Sequence, residues 1–399
     1  MNEEEAKKPV DVHEQFVRWL RESGAYVPES RALIPLMKAT YRAEEAELLT
    51  GMPLNLSDLE TLADRKGMDP ATLGCALDEL AGRGLVYRTS GEVRLKYRVN
   101  PPRFVFLRSL FWPGRDDAYV RSVAPWVSTY YRDGFGDHWK LVQTKGLRAL
   151  PIRQTVEDPR HILPYEDVKK VLGNQDRFAV AHCACRHRHN ADVHAPNCKH
   201  EVENCLHFGK LADYIVENGL GRKITQQEAE EILDRAEDAG LVHAVSNWQD
   251  NVDTICNCCR CCCVYFQAFH VLKHSTSMSH SDYEVVTNPK TCTGCGLCVK
   301  RCPMEALKLA PHPAAANKSG KASVLTPDLC IGCGICAHKC PSGSLKLRQR
   351  RERIAPPVNV AELKKRYIAE GTASVRSAAI DSAEITFQSG DISSGEAVE

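Results

Sequence analysis

Cys292-Thr293-Gly294-Cys295-Gly296-Leu297-Cys298-Val299-Lys300-Arg301-Cys302-Pro303 and Cys330-Ile331-Gly332-Cys333-Gly334-Ile335-Cys336-Ala337-His338-Lys339-Cys340-Pro341 write one spacing twice. Each is the C-x2-C-x2-C-x3-C-P run that ligates iron–sulfur clusters. The spacing has a physical cause. A tight loop bearing three thiolates covers one side of a cubane, and the fourth ligand must arrive from elsewhere. Gly294, Gly296, Gly332 and Gly334 stand between the cysteines, where the backbone turns sharply and must come close to the inorganic core. Pro303 and Pro341 set the direction in which the chain leaves. The copies run on alike, into Glu305-Ala306-Leu307-Lys308-Leu309 and Gly343-Ser344-Leu345-Lys346-Leu347. Two half-domains related by a pseudo-two-fold are therefore expected. Structural zinc and disulfides are the other uses of closely spaced cysteines, and a doubled match of eight cysteines and two prolines favours clusters over both.

On these ligands and prolines, the stretch from Thr291 to Leu347 resembles the bacterial two-[4Fe–4S] ferredoxin family. In such proteins the fourth cysteine of each run reaches the other cluster. The resemblance thus implies one cluster on Cys292, Cys295, Cys298 and Cys340, and another on Cys330, Cys333, Cys336 and Cys302. It implies an electron-transfer module.

A chain of 399 residues is too long for one small domain. Its hydrophobic content of 43% and charged content of 26% are those of an ordinary soluble protein. A net charge of +1 exerts no global pull toward nucleic acid or anionic membrane. The opening Met1-Asn2-Glu3-Glu4-Glu5 has no signal-peptide profile, and no apolar run is long enough to span a bilayer. A cytoplasmic protein without membrane insertion is expected. Thiols stay reduced in the cytoplasm, so 19 cysteines read as metal ligands. Oxygen-sensitive clusters point to anaerobic metabolism.

Residues 11–50 carry apolar positions Phe16, Val17, Leu20, Leu33, Leu36, Met37 and Tyr41 at helical spacing. A helix over Leu56–Ala63 with Ser57 as N-cap follows, then a second from Asp69-Pro70-Ala71 to Leu80, closed by Gly82 and Gly84. Leu85–Arg88 and Val93–Tyr97 read as strands around Thr89-Ser90-Gly91. This order resembles a winged helix. The would-be recognition helix, Pro70 to Arg83, bears Asp78 and Glu79 against Arg83 alone, whereas phosphate neutralisation needs several cations on the docking face. A docking role is expected here, and no nucleic acid partner. Cys75 reads as a buried small hydrophobe. The aromatics from Phe104 to Trp139 read as core. A helix over Asp116–Tyr131, another over Pro164–Leu172 and a strand over Phe178–Ala181 follow.

A second constellation begins with His182-Cys183-Ala184-Cys185-Arg186-His187-Arg188-His189, continues through Cys198 and Cys205, and ends in Cys256-Asn257-Cys258-Cys259-Arg260-Cys261-Cys262-Cys263. A helix over Thr225–Ala239, with Thr225 and Glu228 at capping-box spacing, separates the two ends. Asp238-Ala239-Gly240-Leu241-Val242-His243 echoes Gly82-Arg83-Gly84-Leu85-Val86-Tyr87. Ten cysteines suffice for one or two further clusters. The simplest division gives one set Cys183, Cys185, Cys198 and Cys205, and the other four thiolates drawn from Cys256, Cys258, Cys259, Cys261, Cys262 and Cys263. Neighbours such as Cys258 and Cys259 diverge in regular structure, so ligands crossing between the sets are an alternative. Zinc is another, since His182, His187, His189, His194, His200 and His207 stand nearby; most of these histidines read as polar loop residues. Arg186 and Arg260 lie inside the runs, where a cation stabilises a reduced cluster. With its C-x-C-R and C-N-C-C-x-C-C-C motifs ahead of a dicluster region, the chain resembles multidomain 4Fe–4S proteins of bacteria and archaea.

The expected fold class is α+β. It comprises a helical, winged-helix-like domain (1–100), an aromatic- and cysteine-rich α/β metal-binding domain (101–285), a ferredoxin-like 2[4Fe–4S] domain (286–348), and a basic linker, short helix and disordered tail (349–399). The basic run Lys346–Arg353 either steers an acidic partner or is a solvated linker. No nucleotide-binding fingerprint is present. An electron-transfer protein or subunit serving a partner oxidoreductase is the leading reading, ahead of a stand-alone catalyst. A redox-sensing regulator that reads DNA, and a reductase with its own open metal site, are the alternatives.

Overall fold

A computed structural model describes residues 10–370 apart from 92–93, 137–139, 141 and 275. Helices Val12–Glu22, Leu33–Thr40 and Ala43–Leu49 pack through Phe16, Leu20, Leu36, Met37 and Leu49, all buried. Ser57 is not the next cap. It lies in a short strand β1 (Ser57–Asp58), and Asp58 caps helix Leu59–Lys66 by accepting the Thr61 N–H at 3.0 Å. A carboxylate beside the positive helix end is the stronger acceptor, and the Ser57 backbone is paired with Tyr97. Asp69 caps helix Pro70–Gly82 in the same way, and β2 (Val86–Ser90) and β3 (Leu95–Val99) complete a sheet of order β1-β3-β2. Val93 and Trp139 fall outside the described residues. Cys75 departs from expectation and is exposed. The buried stripe of its helix runs through Leu73, Gly74, Leu77, Leu80 and Ala81, and Cys75 lies off it.

Most of the aromatics form core, as Phe106, Phe111, Trp112, Tyr130, Tyr131 and Phe135 are almost wholly buried. Helix Ala118–Tyr130 starts after its cap Asp117. Helix Val168–Gly173 begins later than Pro164, because Asp167 supplies the cap. The central sheet is antiparallel, of order β4-β8-β9-β6-β5-β7. Its strands are β4 (Leu147–Ala149), β5 (Phe178–His182), β6 (Glu203–Phe208), β7 (Arg222–Ile224), β8 (Val242–Ser246) and β9 (Thr254–Cys258). Helix Gln226–Ala239 is capped by Thr225, whose hydroxyl accepts the Glu228 N–H at 3.1 Å, and ends at Gly240 with φ +80°. Gly84, at φ +77°, makes the same exit from helix to strand before β2. The two halves of the chain meet where the Tyr87 ring of β2 stacks on Tyr214 of helix Gly209–Glu217, centroids 4.1 Å apart.

Each cysteine run near the C-terminus opens a short helix, Leu297–Arg301 or Ile335–His338. The flanking strands are β10 (Tyr283–Thr287), β11 (Leu307–Pro311), β12 (Lys321–Leu325) and β13 (Leu345–Gln349). β10 pairs with β13 and β11 with β12, both antiparallel. Each pair takes one strand from each repeat, so the halves interlock. Part of the basic run is thereby strand, not linker: Arg350 folds back and donates to the Tyr283 carbonyl at 2.9 Å and to the Cys330 carbonyl. A helix covers 360–370, and the tail expected from Thr372 lies outside the described residues. Among the described residues no helix is long and apolar enough to cross a membrane.

Candidate metal centres

Strand interlocking brings the fourth cysteine of each run beside the other run's first three. One hollow is lined by Cys292, Cys295, Cys298 and Cys340, and a second by Cys302, Cys330, Cys333 and Cys336. The backbone around them is built for close approach. Gly294, Gly296, Gly332 and Gly334 all have φ between +70° and +81°, a region costly for any residue with a Cβ. At Gly332 a Cβ would stand 2.2 Å from the Tyr283 carbonyl oxygen, and at Gly334 it would stand 2.5 Å from Thr155 Oγ1. Donors already face the sulfurs. Cys302 Sγ accepts the Ala306 N–H at 3.3 Å, and the Ser323 and Ser344 hydroxyls lie 3.4 Å from Cys298 and Cys340 Sγ. Such donors favour the more negative state of a bound cluster.

The hollows differ in surroundings. Val285, Met304, Leu307, Ile331 and Leu347 line the Cys302 hollow, and Leu297, Leu309 and Leu345 the other, whose Cys295 is exposed. Burial pushes the Cys333 thiol well up. At Cys340 burial also raises the thiol, but the Ser344 and Ser342 hydroxyls outweigh it and hold the group at about 7. Four soft thiolates round a hollow, with glycines where a side chain would intrude, fit a [4Fe–4S] cubane at each place.

In the middle of the chain the ten cysteines sort differently from the simplest division. Cys198 leaves Cys183, Cys185 and Cys205, and joins Cys259, Cys261 and Cys262, with all four Sγ within 4.8 Å of one another. The reason is strand register. Leu206 of β6 stands opposite Ile255 of β9, which sets Cys205 across from Cys256. Successive side chains alternate faces, so Cys256 and Cys258 project together and Asn257 projects oppositely. Electrostatic coupling then links Cys205, Cys256, Cys258, Cys263 and Cys185 in a row, and couples Cys183 to Cys259, Cys256, Cys185 and Cys205. Cys183 and Cys263 are the N-caps of helices Ala184–Ala191 and Val264–His270.

The thiols of this basin are buried and strongly coupled to one another. Hydrogen bonds from neighbouring thiols push Cys256 and Cys263 well below the usual thiol range, and their partners Cys185, Cys205 and Cys258 rise in turn. Burial pushes Cys183 up to about 12. Packed thiolates in a dry place need a cation or a metal centre. Arg186, 0% exposed, supplies one positive charge, its guanidinium donating to the Asn204 Oδ1 and the Asn257 carbonyl at 3.1 Å each and to the Glu201 carbonyl. It is a buried strut, whereas Arg260 is half-exposed and pairs with Glu305 of the dicluster region. Arg108, which the sequence reading did not single out, is a second cation near Cys205 and Cys256; nothing local in its segment marks it.

Four of the six histidines contradict the loop reading: His182 ends β5, His187 and His189 lie in helix Ala184–Ala191, and His207 lies in β6. His207 is wholly buried in β6, 3.2 Å from Thr254 Oγ1, and burial pushes it down to about 3. His187 is half-buried against the Arg115 carbonyl at 2.8 Å. Among the described residues no histidine joins the close sulfur group.

The basin adjoins the dicluster region directly. The His270 Nε2 lies 2.7 Å from the Pro303 carbonyl, the Ile152 N–H donates to the Cys333 carbonyl at 3.2 Å, and the Glu157 N–H donates to the Leu347 carbonyl at 2.9 Å.

A family model described as a 4Fe-4S dicluster domain matches residues 291–344. No curated protein matches the chain. Residues 291–344 are thus a ferredoxin-type region, and with the cysteine groups they support an iron–sulfur electron-transfer role.

Proposed function

We propose that the chain is an electron-transfer protein or oxidoreductase subunit that joins the two ferredoxin-type centres to a further centre in the Cys183/Cys185/Cys205/Cys256/Cys258/Cys263 basin, and so serves a partner redox protein. Bound clusters would supply one-electron transfer. The chain's own residues hold, insulate and tune them. The observation that carries this reading is the helix Val264–His270. It starts at Cys263 and ends with His270 against the Pro303 carbonyl, beside Cys302. Seven residues at 1.5 Å rise span about 10 Å, so a short packed element joins the two thiolate sets.

The exposed Cys295 suits exchange with a partner, and the buried Cys302, Cys333 and Cys336 suit internal relay. The N-terminal unit, winged-helix-like in its order of elements, is best read as a docking platform. Three of its cations are engaged, Arg83 with Glu45, Arg88 with Asp78 and Arg94 with Glu60. A cytoplasmic setting follows from the reduced thiols this chemistry needs.

Anaerobic redox titration followed by electron paramagnetic resonance tests the relay. At least three [4Fe–4S] signals are expected, with magnetic coupling between the basin centre and a ferredoxin centre. Two signals only, unaffected by serine at Cys185 or Cys258, would refute it.

A further inference from the structure

Cys198, Cys259, Cys261 and Cys262 differ from every other described cysteine group in how tightly they converge. Cys198 Sγ lies 3.4 Å from Cys261 Sγ and 4.0 Å from Cys259 Sγ, and Cys261 and Cys262 are 3.5 Å apart. All four fall within 4.8 Å of one another, and among the described residues no other three Cys, His, Asp or Glu ligand atoms gather so closely. The two dicluster quartets are therefore more widely spread, and so is the six-cysteine basin.

That difference separates two kinds of centre. Four sulfurs bound to one ion at about 2.3 Å form a tetrahedron with edges of about 3.8 Å. Round a cubane each thiolate is anchored on a different iron, and the sulfurs splay to roughly 6 Å. The distances here match the first figure and are too short for the second. The dicluster quartets act as an internal control, because they line two separate hollows and no three of their sulfurs gather so closely.

We propose that Cys198, Cys259, Cys261 and Cys262 hold a single tetrahedral metal ion, zinc by its donor chemistry, rather than an iron–sulfur cluster. Four thiolates with no histidine and no open position are the donor set of a closed structural site. Four thiolates on a divalent ion leave two excess negative charges. Arg186, fully buried, acts by its charge on Cys183, Cys259 and Cys198 in that order and offsets part of this excess. The adjacency of Cys261 and Cys262 is no obstacle, since residues 260–262 form a turn rather than a strand, and a turn lets neighbouring side chains converge.

The ion acts as a pin. It ties the segment before β6, through Cys198, to the turn after β9. That turn separates Cys256 and Cys258 from Cys263, so fixing it sets the width of the six-cysteine basin. It also positions Arg260 against Glu305. The inference is independent of the relay: the chain could lose the pin's metal and still carry both ferredoxin-type centres.

The test uses the full chain, purified without oxygen, with zinc, iron and acid-labile sulfide measured together and X-ray absorption recorded at the zinc edge. One zinc per chain is expected, with four sulfur neighbours at about 2.3 Å and no iron neighbour. Cys198→Ser and Cys261→Ser should each lose that one ion while the irons and sulfide of the dicluster region stay unchanged. Loss of about four irons with matching sulfide in either variant, with the zinc content unchanged, would overturn the proposal. So would unmodified protein with no zinc and all its iron matched by sulfide. Should the variants fail to accumulate, the zinc-edge spectrum of the unmodified chain decides alone.

Discussion

Replacing Gly332 by alanine tests the dicluster hollow at its tightest point. Two costs add. At φ +70° the backbone is left-handed, which costs a residue with a Cβ about 1–2 kcal/mol. The added methyl would also stand 2.2 Å from the Tyr283 carbonyl oxygen and 2.2 Å from Ser281 Oγ. A hydroxyl can rotate away, but the carbonyl belongs to the backbone of β10 and cannot yield without shifting the strand. Overpacking of this kind adds about 1–3 kcal/mol, for a total of roughly 2–5 kcal/mol. Gly296→Ala is the matched control: its φ is +73°, and its nearest neighbour is Leu309 Cδ1 at a comfortable 3.5 Å. Only the backbone cost of about 1–2 kcal/mol applies there. Loss of cluster absorbance on heating, together with iron per chain, reads both effects. Gly332→Ala should melt well below Gly296→Ala and lose about four irons, those of the Cys302/Cys330/Cys333/Cys336 set. Equal melting and full iron in the two variants would refute the account of the hollow.

Glu166 is buried near Asp282 and Arg148, and burial with the Asp282 charge raises its carboxyl to about 7. The folded chain then binds a proton more tightly than the unfolded one, so stability is fullest below the ordinary carboxyl range and falls as pH rises toward 7, by on the order of 3 kcal/mol. Glu166→Gln should flatten that slope in denaturant titrations between pH 5 and pH 8, and an unchanged slope would assign it elsewhere. Arg186→Met removes a buried cation bonded to Glu201, Asn204 and Asn257, and should cost about 3–5 kcal/mol while the dicluster iron stays; stability equal to that of the unmodified chain would show the strut is dispensable. With Cys183 and Cys185 both changed to serine, about four irons should be lost and the ferredoxin-type resonances kept; unchanged iron would remove the basin from the relay. Duplex DNA should show no tight, salt-sensitive binding, because helix Pro70–Gly82 is short of cations and Arg83, Arg88 and Arg94 are already paired, and affinity well above that of a neutral control would favour the regulator.

The dicluster region was legible because its ligands follow one another in a local spacing, and spacing along the chain is what a loop round a cubane dictates. The helix over Gln226–Ala239 was legible for the same reason, its cap and its closing glycine being neighbours in sequence. The partition of the middle cysteines was not. It rests on Leu206 standing opposite Ile255, a pairing between strands far apart in the chain, and on a turn that brings Cys261 and Cys262 together. No local rule reports either. Cys75 failed for a smaller reason: a lone cysteine gives no sign of which side of a helix stripe it occupies, and Leu73 and Leu77 already fill the buried one. Glu166 was missed because its pressure comes first from burial and then from the Asp282 charge, both of which arise only through the fold.

The pairing of β10 with β13 and of β11 with β12 also constrains how the chain can be made. A ribosome delivers Cys292, Cys295, Cys298 and Cys302 first, yet those four belong to two different hollows. A chain halted before Cys330 owns an unbroken run and completes neither set. The last ligand of the first hollow, Cys340, arrives only with the second repeat. Metal loading of this region therefore waits for the whole of it to be synthesised, and a truncated product carries loose thiols instead of half the redox capacity.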